Sequence, residues 1–170
     1  MKQQPFTRYR SKTVNCQVFQ GESSITVLTT NNIQMPNIIA TAEAENTGEA
    51  YATKLITNQH RLLADEPFDL GGQNLGPNPG DYLCMALASC MVITLRMYIT
   101  RKGWEIGRIK AKVNLVKSTN TASGNNTFYC SVSFGETLTT EQRGKLCKIA
   151  KACPLHRLLS RPSDIITLLD

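Results

Sequence analysis

The sequence lacks the ligand sets of common metal and nucleotide sites. It contains no CxxC motif, and its only two histidines, His60 and His156, lie far apart along the chain. A structural zinc site is therefore not expected, because it needs closely grouped cysteine and histidine ligands. The glycine-rich segment 69–80, DLGGQNLGPNPG, matches neither GxGxxG nor the P-loop pattern. A plain connecting loop is favoured there over a phosphate cradle.

A long apolar run and a signal-like N-terminus are also missing. The longest uncharged apolar run extends from Tyr82 to Leu95, which is short for a bilayer, and ends at Arg96. The first 20 residues are polar and basic, without the apolar segment of a secretory signal. We therefore expect a cytoplasmic protein that does not enter a membrane. In that compartment the six cysteines are expected to be reduced rather than joined in a disulfide framework.

The length and composition indicate one globular domain. The chain has 170 residues, of which 41% are hydrophobic and 19% charged, and this is enough to build a hydrophobic core. We assign residues 36–170 to that domain. Residues 1–35 are interpreted as an N-terminal extension, either partly disordered or strand-like, with SSITVLTT at 23–30 as its candidate strand.

The net charge of +6 is unevenly distributed along the chain. Between residues 36 and 81 there are seven acids and two bases, whereas residues 101–117 contain six bases and one acid. A basic half could bind nucleic acid or another anionic ligand. It could equally be an ordinary solvated face, or it could complement the acidic half of a second subunit.

Alternating patterns predict antiparallel strands. Residues 37–66 have the pattern of a β-meander, and the turn at 58–59 precedes HRLLADEP. The segment WEIGRIKAKVNLVK at 104–117 has a two-residue period, with Ile109, Ala111, Val113 and Leu115 on one side. FYCSVSFG at 128–135 returns as the second strand of a hairpin, and DIITLLD is predicted as a final strand.

Three helices are predicted. The first begins at Asn78 or Pro79, extends to about Lys102 and ends at Gly103. It has almost no polar side before Arg96, so we expect it to be buried by sheet and by a partner chain. Thr139 or Thr140 caps the second helix. A short third helix begins with Pro154.

Two cysteines are candidates for chemistry. Cys153 immediately precedes the third helix, where backbone N–H groups and the helix dipole favour a thiolate. Cys90 lies in the middle of the first helix and requires a cation or a hydrogen-bond donor from elsewhere in the fold; without one it would be an inert core residue. Cys84 and Cys147 are each six residues from one of these thiols, roughly 9 Å along a helix. Any disulfide must therefore be long-range.

The sequences GGQNLGPNPGDYLCMALASCMVITLRMYITRKGW and IAKACPLHRLL, at 71–104 and 149–159, resemble the OsmC/Ohr family of thiol peroxidases. The resemblance extends over about residues 37–169 and is strongest to the broader OsmC-like group. It implies an α+β fold in which antiparallel sheets wrap around two long central helices in an intertwined homodimer.

The resemblance also implies a chemistry. Cys90 matches the peroxidatic cysteine, which attacks an organic hydroperoxide and becomes a sulfenic acid, and Cys153 matches the resolving cysteine. An external dithiol, often lipoyl-linked in this family, reduces the resulting disulfide, and no metal or flavin cofactor is needed. Asp81 occupies the position of an acid, usually glutamate, that orients a thiolate-stabilising arginine. Arg61 is the candidate for that arginine.

Two other functions are compatible with the sequence. The same dimer could be a non-catalytic protein that binds a small apolar ligand, and the shortened acid at Asp81 favours this alternative. Nucleic-acid binding by the basic C-terminal half ranks last, because no aromatic residues are interleaved with the basic stretches.

Overall fold

A computed structural model describes residues 17–18, 38–118 and 126–169. It divides into two units, one of which is Asn37–Arg161. In the other unit, strands β1 (Gln17–Val18) and β7 (Leu168–Leu169) pair in parallel. The predicted C-terminal strand is thus confirmed in two residues, whereas the candidate strand at 23–30 lies outside the described residues. The domain boundary at residue 36 stays a prediction.

The predicted meander is confirmed. Strands β2 (Glu43–Glu45), β3 (Thr53–Thr57) and β4 (His60–Ala64) form a three-stranded antiparallel sheet in that order. The tight β3–β4 turn places Asn58 at a φ of 45°, in the left-handed region that asparagine tolerates better than most residues.

The first helix has the predicted bounds. Helix α1 is Pro79–Arg101, and a reciprocal pair of hydrogen bonds caps its start. The Asp81 amide donates to the Asn78 side chain over 2.9 Å, and the Asp81 carboxylate accepts from the Asn78 amide over 3.2 Å. Gly103 follows the helix with a φ of 63°, as expected for a glycine that ends a helix.

One face of α1 packs in the core, and the opposite face is exposed to solvent. The buried face has a four-residue repeat, Leu87, Met91, Leu95 and Ile99, and α1 packs against the strand Ile109–Val116 and the helix Thr140–Lys151. The exposed face carries apolar side chains that are 44–60% accessible: Leu83, Met85, Ile93 and Met97. One chain therefore buries only part of this helix. By length and composition alone α1 could cross a membrane, contrary to our expectation from its uncharged run, although the core helix of a soluble protein meets the same criterion.

A β-hairpin covers the buried face of α1. Strands β5 (Ile109–Val116) and β6 (Thr127–Phe134) are antiparallel. Along β5 the partly buried and exposed residues alternate as predicted, with Ile109, Ala111, Val113 and Leu115 inward. Most of the predicted hairpin loop, residues 119–125, lies outside the described residues.

The two remaining helices also match the prediction. Helix α2 is Thr140–Lys151, with Thr139 as its N-cap, and helix α3 is Pro154–Leu159, with Cys153 at the N-cap position. Leu146 of α2 packs with the C-terminal half of α1 in the main core cluster, and Cys153 packs with the middle of α1 in a second cluster. The α2–α3 junction therefore lies against the middle of α1.

Candidate functional site

Folding brings the two candidate thiols together. The Cys153 thiol donates a hydrogen bond to the Cys90 sulfur over 2.7 Å, although 63 residues separate them along the chain. Both are free cysteines. α1 positions Cys90, and the sharp α2–α3 junction before Pro154 positions Cys153, since proline cannot continue the preceding helix. The prediction that only a long-range pair could form is consistent with this contact.

The surroundings of the pair are apolar. Cys153 is 0% exposed and packs with buried Leu87 and Met91. Cys90 is only partly buried. The side chains that complete this cluster come from both hairpin strands and from α2 and α3: Val113, Phe128, Val132, Ala150 and Leu155. A reagent can therefore approach Cys90, whereas Cys153 is shielded.

The predicted thiolate at Cys153 is wrong. Burial, followed by the hydrogen bond to Cys90, raises the pKa of the Cys153 thiol, and the backbone N–H groups of His156 and Leu155 offset this only in part. The sequence correctly places Cys153 at the helix start, but it does not show how completely the core encloses the sulfur.

Asp81 helps to cap the N-terminus of α1. Its carboxylate accepts a hydrogen bond from Asn78 in the capping pair, and the residue borders an open cavity of about 590 Å³ that Cys84 and Val113 also line. Among the described residues it has no bonded arginine. Its role in orienting an arginine therefore stays a prediction.

Arg61 lies on β4, opposite Ile56, and is exposed. Within the part of the chain that is described, its side chain makes no hydrogen bond or ion pair, and no cationic side chain hydrogen-bonds to either sulfur. The structure thus brings Cys90 and Cys153 together but leaves Arg61 without a contact to them. Arg96 is engaged elsewhere, because its guanidinium donates to the backbone carbonyls of Ile106 and Gly107.

Sequence reasoning missed Asp65, which organises the loop before α1. Asp65 is 3% exposed, and its carboxylate accepts hydrogen bonds from three backbone amides, those of Glu66 at 2.8 Å, Gln73 at 3.0 Å and Leu75 at 3.1 Å. Burial acts to raise the pKa of Asp65, but the three donors together lower it. An acid at the end of a strand and directly before a glycine-rich loop was the available signal. The loop is thus a tightly held connector, as predicted.

The other cysteines do not join the pair. Cys84 is partly buried, whereas Cys130 and Cys147 are exposed. Although the residue as a whole is exposed, partial desolvation of the Cys130 sulfur, with a smaller contribution from Cys84, raises the pKa of its thiol. Cys16 lies outside the described residues. Among the residues described, no group of three or more His, Cys, Asp or Glu side chains could hold a metal ion.

A second cavity borders the thiol pair. It has a volume of about 680 Å³ and lies between α1, β6 and α2. Met91, Phe128, Val132 and Ala150 line it, and these residues also pack around Cys153. Arg143, Lys151 and His156 add polar groups to its wall. The cavity is thus separated from the sulfurs by one layer of side chains.

The family model described as OsmC-like protein matches residues 71–167, more than half of the chain, and includes both thiols. The chain belongs to the OsmC-like family. The family that the sequence motifs suggested is thereby confirmed. No curated protein matches the chain.

Solved structures of OsmC-like proteins share the fold. A candidate osmotic stress induced and detoxification response protein of Psychrobacter arcticus has a TM-score of 0.62 at 21% identity, covering 79% of this chain and 98% of its own. An OsmC-like protein of Mycoplasma pneumoniae has a TM-score of 0.57 at 20% identity, covering 79% and 100%. The organic hydroperoxide resistance protein OhrB of Bacillus subtilis has a TM-score of 0.51 at 20% identity, covering 77% and 96%. The α+β class with antiparallel sheets is thus confirmed.

Proposed function

We propose that this OsmC-like protein is a thiol-dependent peroxidase that reduces organic hydroperoxides, with Cys90 as peroxidatic and Cys153 as resolving cysteine. The observation that carries the proposal is the 2.7 Å contact between the two sulfurs in an apolar cluster. Support comes from the solved structures of similar fold that are named organic hydroperoxide resistance proteins. The apolar surroundings favour hydroperoxides with apolar substituents over hydrogen peroxide.

The chemistry proceeds in two steps. The Cys90 thiolate attacks one oxygen of the hydroperoxide, the O–O bond breaks, and the departing alkoxide takes up a proton to leave as an alcohol. Cys90 is then a sulfenic acid. The Cys153 sulfur attacks the Cys90 sulfur, an S–S bond forms, and the hydroxide that leaves is protonated to water. The two thiols lose two electrons in total, and the hydroperoxide gains them.

An external dithiol, of the lipoyl-linked kind, completes the cycle. Because Cys153 is fully buried and Cys90 is partly exposed, the reductant attacks the Cys90 sulfur and releases Cys153 as the leaving group. The dithiol becomes a disulfide and both protein thiols are restored. This cycle requires a reducing compartment, for which we propose the cytoplasm.

The protein acts as a homodimer in this proposal. The exposed apolar face of α1 is the surface that a second copy would cover, since a contiguous apolar surface of this kind marks an interaction site. Two long helices, one from each subunit, would then lie at the centre. Arg61 is exposed and has no contact with the pair within the described chain. Its proposed role beside Cys90 therefore depends on assembly or on closure of the meander.

Mass spectrometry after reaction with one equivalent of cumene hydroperoxide tests the proposal. We expect a Cys90–Cys153 bridge and one equivalent of cumyl alcohol, and neither in Cys90→Ser. Cys147→Ser removes an exposed thiol that is not part of the cluster around Cys153 and serves as the matched control, which should behave as wild type. Consumption of the hydroperoxide by Cys90→Ser at the wild-type rate would show that the mechanism is wrong.

A non-catalytic dimer that binds a small apolar ligand is the second candidate. The cavity beside the thiol pair favours this binding function. Its volume of about 680 Å³ is within the size range of small-molecule sites. Thiol titration distinguishes the two functions, because a binding protein has no need of a thiol that ionises at neutral pH. If all cysteines ionise only at alkaline pH, and a fluorescent apolar probe binds in the cavity, the binding function is preferred.

A further inference from the structure

We propose that Cys153 has a role before the resolving step. Its S–H group hydrogen-bonds to the Cys90 sulfur, stabilises negative charge there and so activates Cys90 as a nucleophile. The inference rests on the proposed peroxidase function for its biological meaning, but its test does not depend on peroxide chemistry. Cys153 would thus supply the hydrogen-bond donor that a cysteine in the middle of a helix requires.

The first support is the geometry of the pair. The two sulfurs are 2.7 Å apart, a distance at which the Cys153 S–H group can donate to the Cys90 sulfur. Cys153 is 0% exposed, so water does not compete for its proton. Leu87 and Met91 are buried against it and restrict its side chain. A hydrogen bond in dry surroundings to a charged acceptor is stronger than the same bond in water.

The second support is the unequal environment of the two sulfurs. Burial disfavours ionisation of Cys153 and raises its pKa, so the proton remains on this sulfur. Cys90 is partly exposed, and a charge on it is better solvated. When the pair loses one proton, the favoured arrangement therefore has the charge on Cys90 and the proton on Cys153.

The third support is the lack of another side-chain donor to Cys90. Within the described residues, no side chain of lysine, arginine or histidine donates a hydrogen bond to either sulfur, and the contact with Cys153 is the one side-chain hydrogen bond to the Cys90 sulfur. The Arg61 side chain makes no hydrogen bond or ion pair in the described part of the chain, and the Arg96 side chain donates to backbone carbonyls. Cys153 is thus the group already in place to stabilise the Cys90 thiolate.

The proton of the Cys153 thiol also has a role in peroxide reduction and in disulfide formation. When the Cys90 thiolate attacks, the O–O bond breaks and the leaving alkoxide takes the Cys153 proton and departs as an alcohol. Cys153 then becomes a thiolate at the moment when Cys90 is a sulfenic acid. It attacks the Cys90 sulfur, the disulfide forms and hydroxide leaves. Activation, protonation of the leaving group and resolution thus use one thiol in sequence.

Alkylation of Cys90 by iodoacetamide, followed by peptide-resolved mass spectrometry across pH, tests this role. In Cys153→Ala, which removes the donor, we expect the alkylation rate at about pH 7 to fall about tenfold or more. In Cys153→Ser, whose hydroxyl can still donate, the rate should lie within about threefold of wild type. The three rates should converge at alkaline pH, where thiols ionise without a hydrogen-bond donor.

The controls separate this role from packing and from peroxidase activity. Cys153→Val fills the volume without a donor and should behave as Cys153→Ala, and Cys147→Ser should match wild type. Equal Cys90 rates in wild type, Cys153→Ser and the folded donor-free variants overturn the inference. If the rates differ as expected but hydroperoxide forms no Cys90–Cys153 bridge in wild type, the peroxidase proposal fails and the hydrogen-bond role remains.

Discussion

Cys153 is completely buried, whereas Cys90, whose sulfur lies 2.7 Å away, is partly open to solvent. In the proposed mechanism this asymmetry favours Cys90 as the sulfur that an incoming hydroperoxide or reductant reaches first, and Cys153 as the sulfur that resolves. The family resemblance implies the same two roles.

Replacing the resolving thiol should expose Cys90 to further oxidation. In Cys153→Ser no disulfide can form, so the Cys90 sulfenic acid persists and reacts with a second hydroperoxide molecule to give a sulfinic acid. With excess cumene hydroperoxide we expect Cys90 to gain two oxygens in most of the protein, while wild type gains the internal bridge. Intact-mass and peptide mass spectrometry measure both products. A bridge from Cys90 to Cys130 or Cys147 in this variant would contradict the assignment of Cys153.

Asp65 should make the protein sensitive to acid. Its ionised carboxylate accepts three backbone hydrogen bonds, and its pKa is lowered in the folded state. A lowered pKa adds stability that is present above the ordinary carboxyl pKa and is lost as the pH falls through the folded-state value. Asp65→Asn should therefore lower Tm at pH 7. The NH₂ group of the asparagine would face a backbone N–H donor and could not accept its hydrogen bond. The difference in Tm from wild type should shrink as the pH falls below about 4, the ordinary carboxyl pKa, and through the lowered folded-state value.

Asp69→Asn is the matched control for this measurement. Asp69 lies on the same loop and is exposed. The Tm of Asp69→Asn should equal that of wild type at each pH. If both variants show the same acid profile, the three amide bonds to Asp65 do not hold the loop.

Two glycines should respond to alanine in opposite directions. A Cβ on Gly76 would collide with the backbone carbonyl of Leu63, whereas a Cβ on Gly144 in α2 would meet no atom within 4 Å. Gly76→Ala should reduce the free energy of unfolding by about 1–3 kcal/mol. Gly144→Ala should increase it by about 0.5–1 kcal/mol, because alanine is the better helix former. Urea denaturation measures both, and a neutral Gly76→Ala would show that the loop backbone can shift.

Local sequence rules predicted most of the secondary structure. The capping residues Asn78 and Thr139, the glycine after α1 and the alternation along β5 are local signals, and the structure agrees with each. The ionisation of Cys153 was predicted wrongly, because a helix start favours a thiolate whereas burial by residues distant in sequence opposes it. Asp65 was missed for a related reason, since two of its three donors are eight and ten residues further along the loop.

The exposed face of α1 leads to a prediction about assembly. Ile93 is 58% exposed and Met97 60% exposed, although both lie on the most apolar helix of the chain. If a second copy covers this face, a charge at its centre is buried without a partner, which costs several kcal/mol. Ile93→Asp should therefore convert a dimer to a monomer in size-exclusion chromatography with light scattering. Leu158→Asp is the matched control, because Leu158 is a 50% exposed apolar residue on α3, and it should leave the mass of the assembly unchanged. If Ile93→Asp remains a dimer, the interface lies elsewhere.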